Sequence, residues 1–205
     1  MEQDLAILIA DLSGYTALTE VHGAHAAADL IDTYQEIVER SLVGESRLQE
    51  RVGDEVMILS PSADHLAYTA MELLYQSSLE NNFLHVHGGL HYGRLLNRKG
   101  SYFGPAINLT SRLTAQAGAG SFYCTKAFME ALKEPNHRYE PRGMAVFKNI
   151  RMETEIFELN PPKAHRPVDP VCRMLLGENR VPHPTQDELF FCSDACLHIY
   201  MSRLH

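Results

Sequence analysis

Leu-Ala-Ile-Leu-Ile-Ala-Asp-Leu-Ser-Gly-Tyr-Thr occupies residues 5–16, and every other motif of the chain can be placed relative to it. The run from Leu5 to Ala10 is short and apolar, which predicts a buried strand. Asp11 follows this strand, and Ser13-Gly14 predicts a tight turn before a helix. A carboxylate at the end of a buried strand, beside a glycine turn, suits a metal or phosphate site. It also fits a residue that merely closes a strand and caps a helix.

The composition predicts one sizeable core and excludes several functions. The 205 residues are 45% hydrophobic, and 18 Lys and Arg against 26 Asp and Glu give a net charge of −8. This acidic balance argues against nucleic acid as a partner, because a phosphate backbone attracts basic patches. No apolar run approaches the roughly 18 residues of a membrane helix, and the first residues carry no basic and apolar signal. We therefore expect a cytoplasmic protein without a membrane partner.

Hydrophobic periodicity along the rest of the chain predicts an α+β domain. Predicted helices cover 17–42, a segment from about 62 to about 82, 106–117 and 127–132. Predicted strands cover 5–10, 46–51, 55–60, 84–92, 94–97, 121–124 and segments within 146–159. Gly23 interrupts the first helix. This order favours a mostly antiparallel sheet with helices covering one face.

Four prolines separate this domain from a short last segment: Pro161, Pro162, Pro167 and Pro170. Proline-punctuated stretches are typical of linkers. We therefore predict a first domain over 1–160, a linker over 161–168 and a small module over 169–205. A module of this size needs help to hold a core.

Two carboxylates can meet in the first domain. Asp54 lies on the predicted turn between two adjacent strands, where it can approach Asp11 at the end of the first strand. Paired carboxylates suit Mg²⁺, which completes its coordination with phosphate oxygens and water. Two such ions can activate an attacking oxygen and stabilise a leaving one. An ordinary Gly-Asp turn explains Asp54 equally simply.

Three further polar residues suit a phosphorylated ligand. Asn108 and Arg112 are four residues apart, so they share one face of the predicted helix. An amide and a guanidinium suit a sugar oxygen and a phosphate whose charge grows in a transition state. Lys148 lies in a strand-like run and suits a phosphate clamp. An exposed helix face and a solvated edge lysine explain the same residues without a ligand.

Five motifs in this order resemble the catalytic domain of class III nucleotidyl cyclases, the adenylate and guanylate cyclase family, over residues 5–159. The motifs are Asp11-Leu12-Ser13-Gly14-Tyr15-Thr16, Gly53-Asp54-Glu55, Gly88-Gly89-Leu90-His91-Tyr92-Gly93, Tyr102 to Arg112, and Arg142-Gly143 followed by Lys148. The resemblance implies a ferredoxin-like βαββαβ core of the nucleotidyl cyclase type.

The same resemblance implies a reaction and a role for each motif residue. The ribose 3′-oxygen attacks the α-phosphorus and releases pyrophosphate. Roles are implied as follows: two Mg²⁺ or Mn²⁺ ions at Asp11, Asp54 and the Leu12 carbonyl, the ribose at Asn108, the α-phosphate at Arg112, and the triphosphate at Lys148. Because the family forms its site between two catalytic domains and this chain carries both halves, a homodimer with two sites is implied.

Glu50 and Ser101 occupy the positions at which the family reads the base. Adenylate cyclases usually carry lysine and aspartate there. A carboxylate accepts from guanine N1–H and the exocyclic amine, whereas adenine N1 needs a donor, so Glu50 favours guanine over adenine. Ser101 can donate or accept, and it also resembles one adenylate cyclase subgroup. Uracil N3–H would suit Glu50 too. Alternatively, Glu50 pairs with Arg47 or Arg51 and does not contact the base.

Three cysteines of the last segment predict a second metal site. Cys172, Cys192 and Cys196 can supply three thiolates to a soft metal such as Zn²⁺ or Cu⁺, and the metal would help so small a unit fold. Three reduced, buried thiols in a packing module explain the same pattern. Cys124 lies in a predicted strand and is expected in the core.

The last segment also resembles a known module. Residues 169–174 and 190–196 are similar to the YHS domain and related TRASH-type metal-binding modules. Arg173 stands where a glycine is usual. His183 and His198 are either a fourth ligand or plain surface histidines.

Together these features predict a nucleotidyl cyclase that converts GTP or ATP to the 3′,5′-cyclic nucleotide and pyrophosphate by two-metal catalysis. Metal at the YHS-like tail would modulate it. The alternative is a catalytically inactive cyclase-like domain that binds nucleotide or dimerises and serves a metal-sensing module.

Overall fold

An eight-stranded sheet with helices on both faces forms the centre of this computed structural model, which describes residues 1–135, 137–148, 150, 153–159 and 166–203. Within those residues the elements are β1 (Glu2–Ser13), α1 (Tyr15–Ser41), β2 (Arg47–Val52), β3 (Glu55–Ser60), α2 (Ala63–Leu79), β4 (His85–Arg98), β5 (Ser101–Phe103), α3 (Pro105–Gln116), β6 (Phe122–Thr125), α4 (Lys126–Ala131), β7 (Tyr139–Ala145), β8 (Thr154–Leu159), β9 (Val181–Pro182), β10 (Phe190–Phe191) and α5 (Asp194–Ser202). The sheet order is β2-β3-β1-β4-β6-β8-β7, with β5 beside β4, while β9 and β10 pair separately.

β1 lies inside the sheet, between β3 and β4, and is antiparallel to both. Leu5, Ile7 and Ile9 face one side of the sheet, and Ala6 and Leu8 face the other, all of them buried. Neither face of a strand that is covered on both sides contacts solvent. This explains why the opening run is apolar at successive positions rather than alternating.

Helices α1, α2 and α4 pack on one face of the sheet, whereas α3 packs on the other. Leu18, Leu66 and Phe128 join the core with the even residues of β1, and Ala106 joins the core with the odd residues. The predicted α+β class is confirmed. The position of α3 differs from the expectation of helices on one face, because β1 is apolar on both sides and both sides must be covered.

Gly89 sets how closely α3 approaches the sheet. A Cβ on Gly89 would lie 2.8 Å from the Thr110 carbonyl oxygen and 2.9 Å from the Thr114 nitrogen, both in the backbone of α3. Thr114 Oγ1 of α3 also donates to the Ile9 carbonyl over 3.0 Å. The helix therefore rests directly on the backbone of β1 and β4.

Several predicted boundaries change in the structure. Gly23 interrupts α1 as predicted, with φ 80° and ψ 176°. The two predicted arms over 84–92 and 94–97 are one strand, β4, since it pairs with β1 along its length. Lys148 lies in a turn after β7 and not in a strand-like run. β7 is a bulged strand around Pro141–Gly143, so its sequence shows little alternation.

The last segment rests against the first domain. Residues 161–165 of the predicted linker lie outside the described residues, but Arg166 donates to the carbonyls of Ser78, Glu80 and Leu176. Phe83 and Leu175 form an isolated bridge beside this contact. Within the described residues, no helix combines the length and hydropathy needed to cross a membrane.

Candidate active site

Asp11 and Asp54 meet where β1 ends and β2 turns into β3. The two carboxyl groups lie close enough for each to shift the pKa of the other, and both are partly buried. Burial, followed by the charge of Asp11, raises the pKa of Asp54 to about 6, and burial also raises the pKa of Asp11. Two partly buried carboxylates in such proximity offer a divalent cation a ready pair of ligands when both are ionised.

One further carboxylate and two neutral side chains surround this pair. Burial and then the charge of Asp54 raise the pKa of Glu55. The Tyr34 hydroxyl is buried without a hydrogen-bond partner among the described residues, and burial and the two aspartates raise its pKa. His87 Nδ1 lies 2.8 Å from Ser13 Oγ, and burial lowers the pKa of the ring, which keeps it neutral. This excess of negative potential fits Mg²⁺ or Mn²⁺.

Leu12 can contribute to such a site only through its backbone. Its side chain is 3% exposed and belongs to the core, and its N–H donates to the Asp11 carboxylate. Any contact of Leu12 with a metal therefore falls to its carbonyl oxygen.

Asn108 and Arg112 lie on a different element from the aspartates. Both are exposed on α3, one turn apart, and Lys148 is exposed after β7. Within the described part of the chain, no hydrogen bond or ion pair joins these three residues to Asp11 or Asp54. The candidate site residues of one chain therefore form two groups that make no direct polar contact with each other.

Glu50 and Ser101 lie in neighbouring segments. Gln49 Nε2 donates to the Gly100 carbonyl over 2.9 Å, which holds β2 against the turn before β5. Glu50 and Ser101 are exposed directly after these two residues. Arg47 donates to the Tyr102 hydroxyl over 2.6 Å, and Glu50 forms no ion pair within the described residues. The interpretation in which Glu50 pairs with Arg47 therefore gains no support.

Curated sequence relatives match the first domain. An uncharacterized protein of Mycobacterium tuberculosis is 31% identical over 152 residues, which is 74% of this chain and 40% of that protein. A protein of Glutamicibacter nicotianae named adenylate cyclase is 32% identical over 117 residues, which is 57% of this chain and 29% of that protein. The chain thus spans less than half the length of these relatives. No family model matches it.

Solved structures show which fold the domain has. An adenylate cyclase from Trypanosoma brucei in its monomeric state superposes with a TM-score of 0.71 at 18% identity, covering 92% of this chain and 95% of that one. The guanylate cyclase domain of RhGC from Catenaria anguillulae, in complex with GTP, gives 0.65 at 15% identity over 80% and 100%. This is the class III nucleotidyl cyclase fold. The resemblance drawn from the five motifs is confirmed, and the fold is shared by adenylate and guanylate cyclases alike.

The tail places its three cysteines against the cyclase-fold domain, where a histidine joins them. The ligand atoms of Cys172, Cys192, Cys196 and His22 all lie within 4.8 Å of one another. Cys192 Sγ is 3.5 Å from each of the other two sulfurs and 3.6 Å from His22 Nε2, which is 3.7 Å from Cys196 Sγ. The hydrogen bond with Cys172 lowers the pKa of Cys192 to about 6, and burial raises that of Cys196 to about 12.

Asp169 organises the two loops that carry these cysteines. Its fully buried carboxylate accepts from the N–H groups of Val171, Cys172 and Cys192 at 2.7, 3.1 and 2.7 Å. These hydrogen bonds lower the pKa of Asp169 although burial opposes them. Asp169 thus ties the first cysteine loop to the second, a role that its place in the sequence motif does not reveal.

The two histidines expected as a fourth ligand lie elsewhere. His183 is buried among Phe191 and Tyr200, outside the cluster, and His198 is exposed on α5. His22 was not predicted, because it belongs to the cyclase-fold domain and stands 170 positions from Cys192. No local spacing signals such a pair. Cys124 is in the core as expected, with 0% exposure.

Proposed function

We propose that this chain is a nucleotidyl cyclase that acts on a purine nucleoside triphosphate as a homodimer. The observation that carries the proposal is the close, partly buried pair of Asp11 and Asp54 in a domain with the class III fold. Relatives named adenylate cyclase support the same activity. The four cysteines are free thiols, which fits the cytoplasm, where we infer that the protein works.

The residues fit a site for two divalent cations. Asp11, Asp54 and the Leu12 carbonyl would hold Mg²⁺ or Mn²⁺. When bound, the two ions supply activation of the 3′-oxygen and charge stabilisation for the leaving pyrophosphate. The protein contributes the partly buried position of both carboxylates, which strengthens their attraction for a cation relative to open water.

The remaining candidates act on the nucleotide. The Asn108 amide orients the ribose, and the Arg112 guanidinium compensates the negative charge that grows on the α-phosphate. The Lys148 ammonium binds the triphosphate. Catalysis of this kind consists mainly of positioning and charge stabilisation.

A homodimer brings the two groups of residues together. Asn108 and Arg112 lie on α3 and, within the described residues, make no hydrogen bond or ion pair with the aspartates of the same chain. In a symmetric dimer the aspartates of one protomer face Asn108, Arg112 and Lys148 of the other, twice. A monomer would then be inactive.

We infer a preference for guanine from Glu50. Its carboxylate is exposed and can accept from guanine N1–H and the exocyclic amine. Ser101, which lies beside it across the Gln49–Gly100 hydrogen bond, can donate or accept for either purine.

Incubation of purified protein with Mn²⁺ and each of the four ribonucleoside triphosphates tests this proposal. We expect a 3′,5′-cyclic product and pyrophosphate, most of it from GTP, and none from the Asp54→Asn variant. An inactive wild-type protein that still binds a nucleoside triphosphate would contradict the proposal. That result would favour a cyclase-like domain that binds nucleotide without turnover.

A further inference from the structure

We propose that His22 and the three tail cysteines form one four-ligand Zn²⁺ centre, which fastens the tail to the cyclase-fold domain beside the turn at Gly14 that follows Asp11 and the end of β1. The centre draws one ligand from α1 and three from the last segment. It is therefore a joint between two parts of the chain and not a site internal to the tail. The inference does not depend on cyclase activity.

Four of the six separations between the ligand atoms match those of a tetrahedral zinc site. With Zn–S near 2.3 Å and Zn–N near 2.0–2.1 Å, two sulfurs lie about 3.8 Å apart and a sulfur and a nitrogen about 3.6 Å apart. The structure has sulfur pairs at 3.5 Å and sulfur–nitrogen pairs at 3.6 and 3.7 Å. All four ligand atoms lie within 4.8 Å of one another, which leaves room for one Zn²⁺ between them.

The donor set selects the metal class. Three thiolates and one imidazole are soft to borderline ligands, and the combination of three cysteines and a histidine is a common structural zinc set. Cys172 and Cys196 are fully buried, and Cys192 and His22 are partly exposed. A closed site of this kind stabilises the protein rather than binding a substrate.

The ligand loops are held in position by groups that are not ligands. The Asp169 carboxylate fixes the backbone of Cys172 and of Cys192, and Ser193 caps α5 by accepting from the Cys196 N–H. Supporting hydrogen bonds of this type orient metal ligands and raise affinity. The tail therefore presents three sulfurs in one arrangement, and α1 completes it.

The centre lies close to the turn at Gly14 that follows β1. His22 precedes the break of α1 at Gly23, and Arg173 follows Cys172 with φ 70°. A Cβ on Gly14 would lie 2.5 Å from the Arg173 Cβ, so the Arg173 side chain rests on the turn that follows β1. A metal ion at the centre would hold the Arg173 side chain in contact with the turn after Asp11. Arg173, which stands where the YHS domain usually has a glycine, would thus help to dock the tail.

Full-length protein titrated with Co²⁺ as a spectroscopic probe tests the ligand set. We expect one Co²⁺ per chain with the absorption of tetrahedral cobalt thiolate, displaced by Zn²⁺. His22→Gln keeps the side-chain volume and should lower Zn²⁺ affinity by about 100-fold or more and change the cobalt spectrum, since a solvent ligand replaces the imidazole. His25→Gln, one turn further along α1 and exposed, is the matched control and should match wild type.

Three results, two from this titration and one from the purified protein itself, would overturn the proposal. A spectrum and affinity unchanged by His22→Gln would assign the metal to the tail alone. Absence of binding in the reduced protein would leave three buried thiols in a packing module. A disulfide between Cys172 and Cys192 in freshly purified protein would exclude the centre. His22→Ala provides a second variant if His22→Gln misfolds.

Hydrogen–deuterium exchange tests the docking. Zn²⁺ should slow amide exchange over 11–22 in wild type and His25→Gln, but not in His22→Gln. Arg173→Gly retains all four ligands and relieves a left-handed backbone that favours glycine. It should bind Zn²⁺ within about threefold of wild type, a change of at most about 0.65 kcal/mol, yet lose protection over 11–16. Equal protection in Arg173→Gly would refute the contact with the turn.

Discussion

The carboxylates of Asp11 and Asp54 are the residues on which the proposed chemistry depends most. They lie close together in a partly buried position, and Glu55 adds a third negative charge. Such a cluster is unfavourable without a proton or a cation. The same unfavourable energy makes it a strong site for a divalent ion when protons are scarce.

A pH dependence follows from Asp54. Its pKa is raised to about 6, so the side chain is protonated below that pH and ionised above it. A cation needs the ionised form, and Mn²⁺ affinity should fall as the pH drops from about 7 to about 5, by up to about tenfold per unit below 6. Calorimetric titration of Mn²⁺ at several pH values measures this.

The matched controls for that titration are two asparagine variants. Asp54→Asn should remove most of the affinity and the pH dependence with it. Asp29→Asn changes an exposed carboxylate on α1 and should leave both intact. Mn²⁺ affinity that stays constant between pH 7 and 5 would refute the assignment of Asp54.

Base selectivity is also decided at single residues. Glu50→Lys replaces an acceptor by a donor at the position where guanine N1–H is expected. We predict that the ratio of GTP to ATP turnover falls by at least about tenfold, because a site whose polar group pairs with one purine leaves that group unpaired when the other purine binds. Glu36→Lys, the same charge reversal at an exposed position of α1, should not move this ratio. An unchanged ratio in Glu50→Lys would remove Glu50 from base recognition.

At the level of elements, the position of α3 depends on Gly89. A Cβ there would lie 2.8 Å from the Thr110 carbonyl oxygen, a backbone atom that cannot move aside without shifting the helix. Gly89→Ala should therefore lower the free energy of unfolding by about 1–3 kcal/mol and reduce cyclase activity through displacement of Arg112. Urea denaturation measures the first effect.

Gly118→Ala is the control for that substitution. Gly118 is exposed after α3, and a Cβ on it would meet no heavy atom within 4 Å. Stability of Gly118→Ala should equal or slightly exceed that of wild type, since alanine restricts the unfolded chain. Equal stabilities of the two variants would show that α3 is not in close contact with β4.

The same elements show what sequence can and cannot reveal. The strand at Leu5, the break at Gly23 and the α+β class follow from local patterns, so they could be predicted. The face on which α3 packs could not, because it depends on the contact of Gly89 with the Thr110 backbone, which no local pattern signals. The irregular pairing around Gly143 likewise leaves β7 without the alternating pattern of a regular strand. Sequence therefore does not predict β7, and it assigns Lys148 to a strand and not to the turn after β7.

At the level of the whole molecule, the folded chain joins residues that are far apart in sequence. Asp11 and Asp54 could be paired in advance because a strand and the next hairpin commonly adjoin. His22 could not be assigned to Cys192, since only the docked tail brings them together. The resemblance to a tail module indicated three sulfurs and gave no reason to search α1 for a nitrogen.

The proposed site exists only in a dimer, and mixing two inactive variants tests this most directly. Asp54→Asn and Arg112→Ala should each be inactive as pure proteins. After co-refolding in equal amounts, half of the dimers are mixed and each has one intact site, so about a quarter of wild-type activity should return.

A mixture of Asp11→Asn and Asp54→Asn is the control. Both changes affect the same half-site, and that mixture should stay inactive. Activity that returns in the first mixture alone is the predicted result. A first mixture no more active than its components, although mixed dimers form, would contradict a site shared between two copies of this chain.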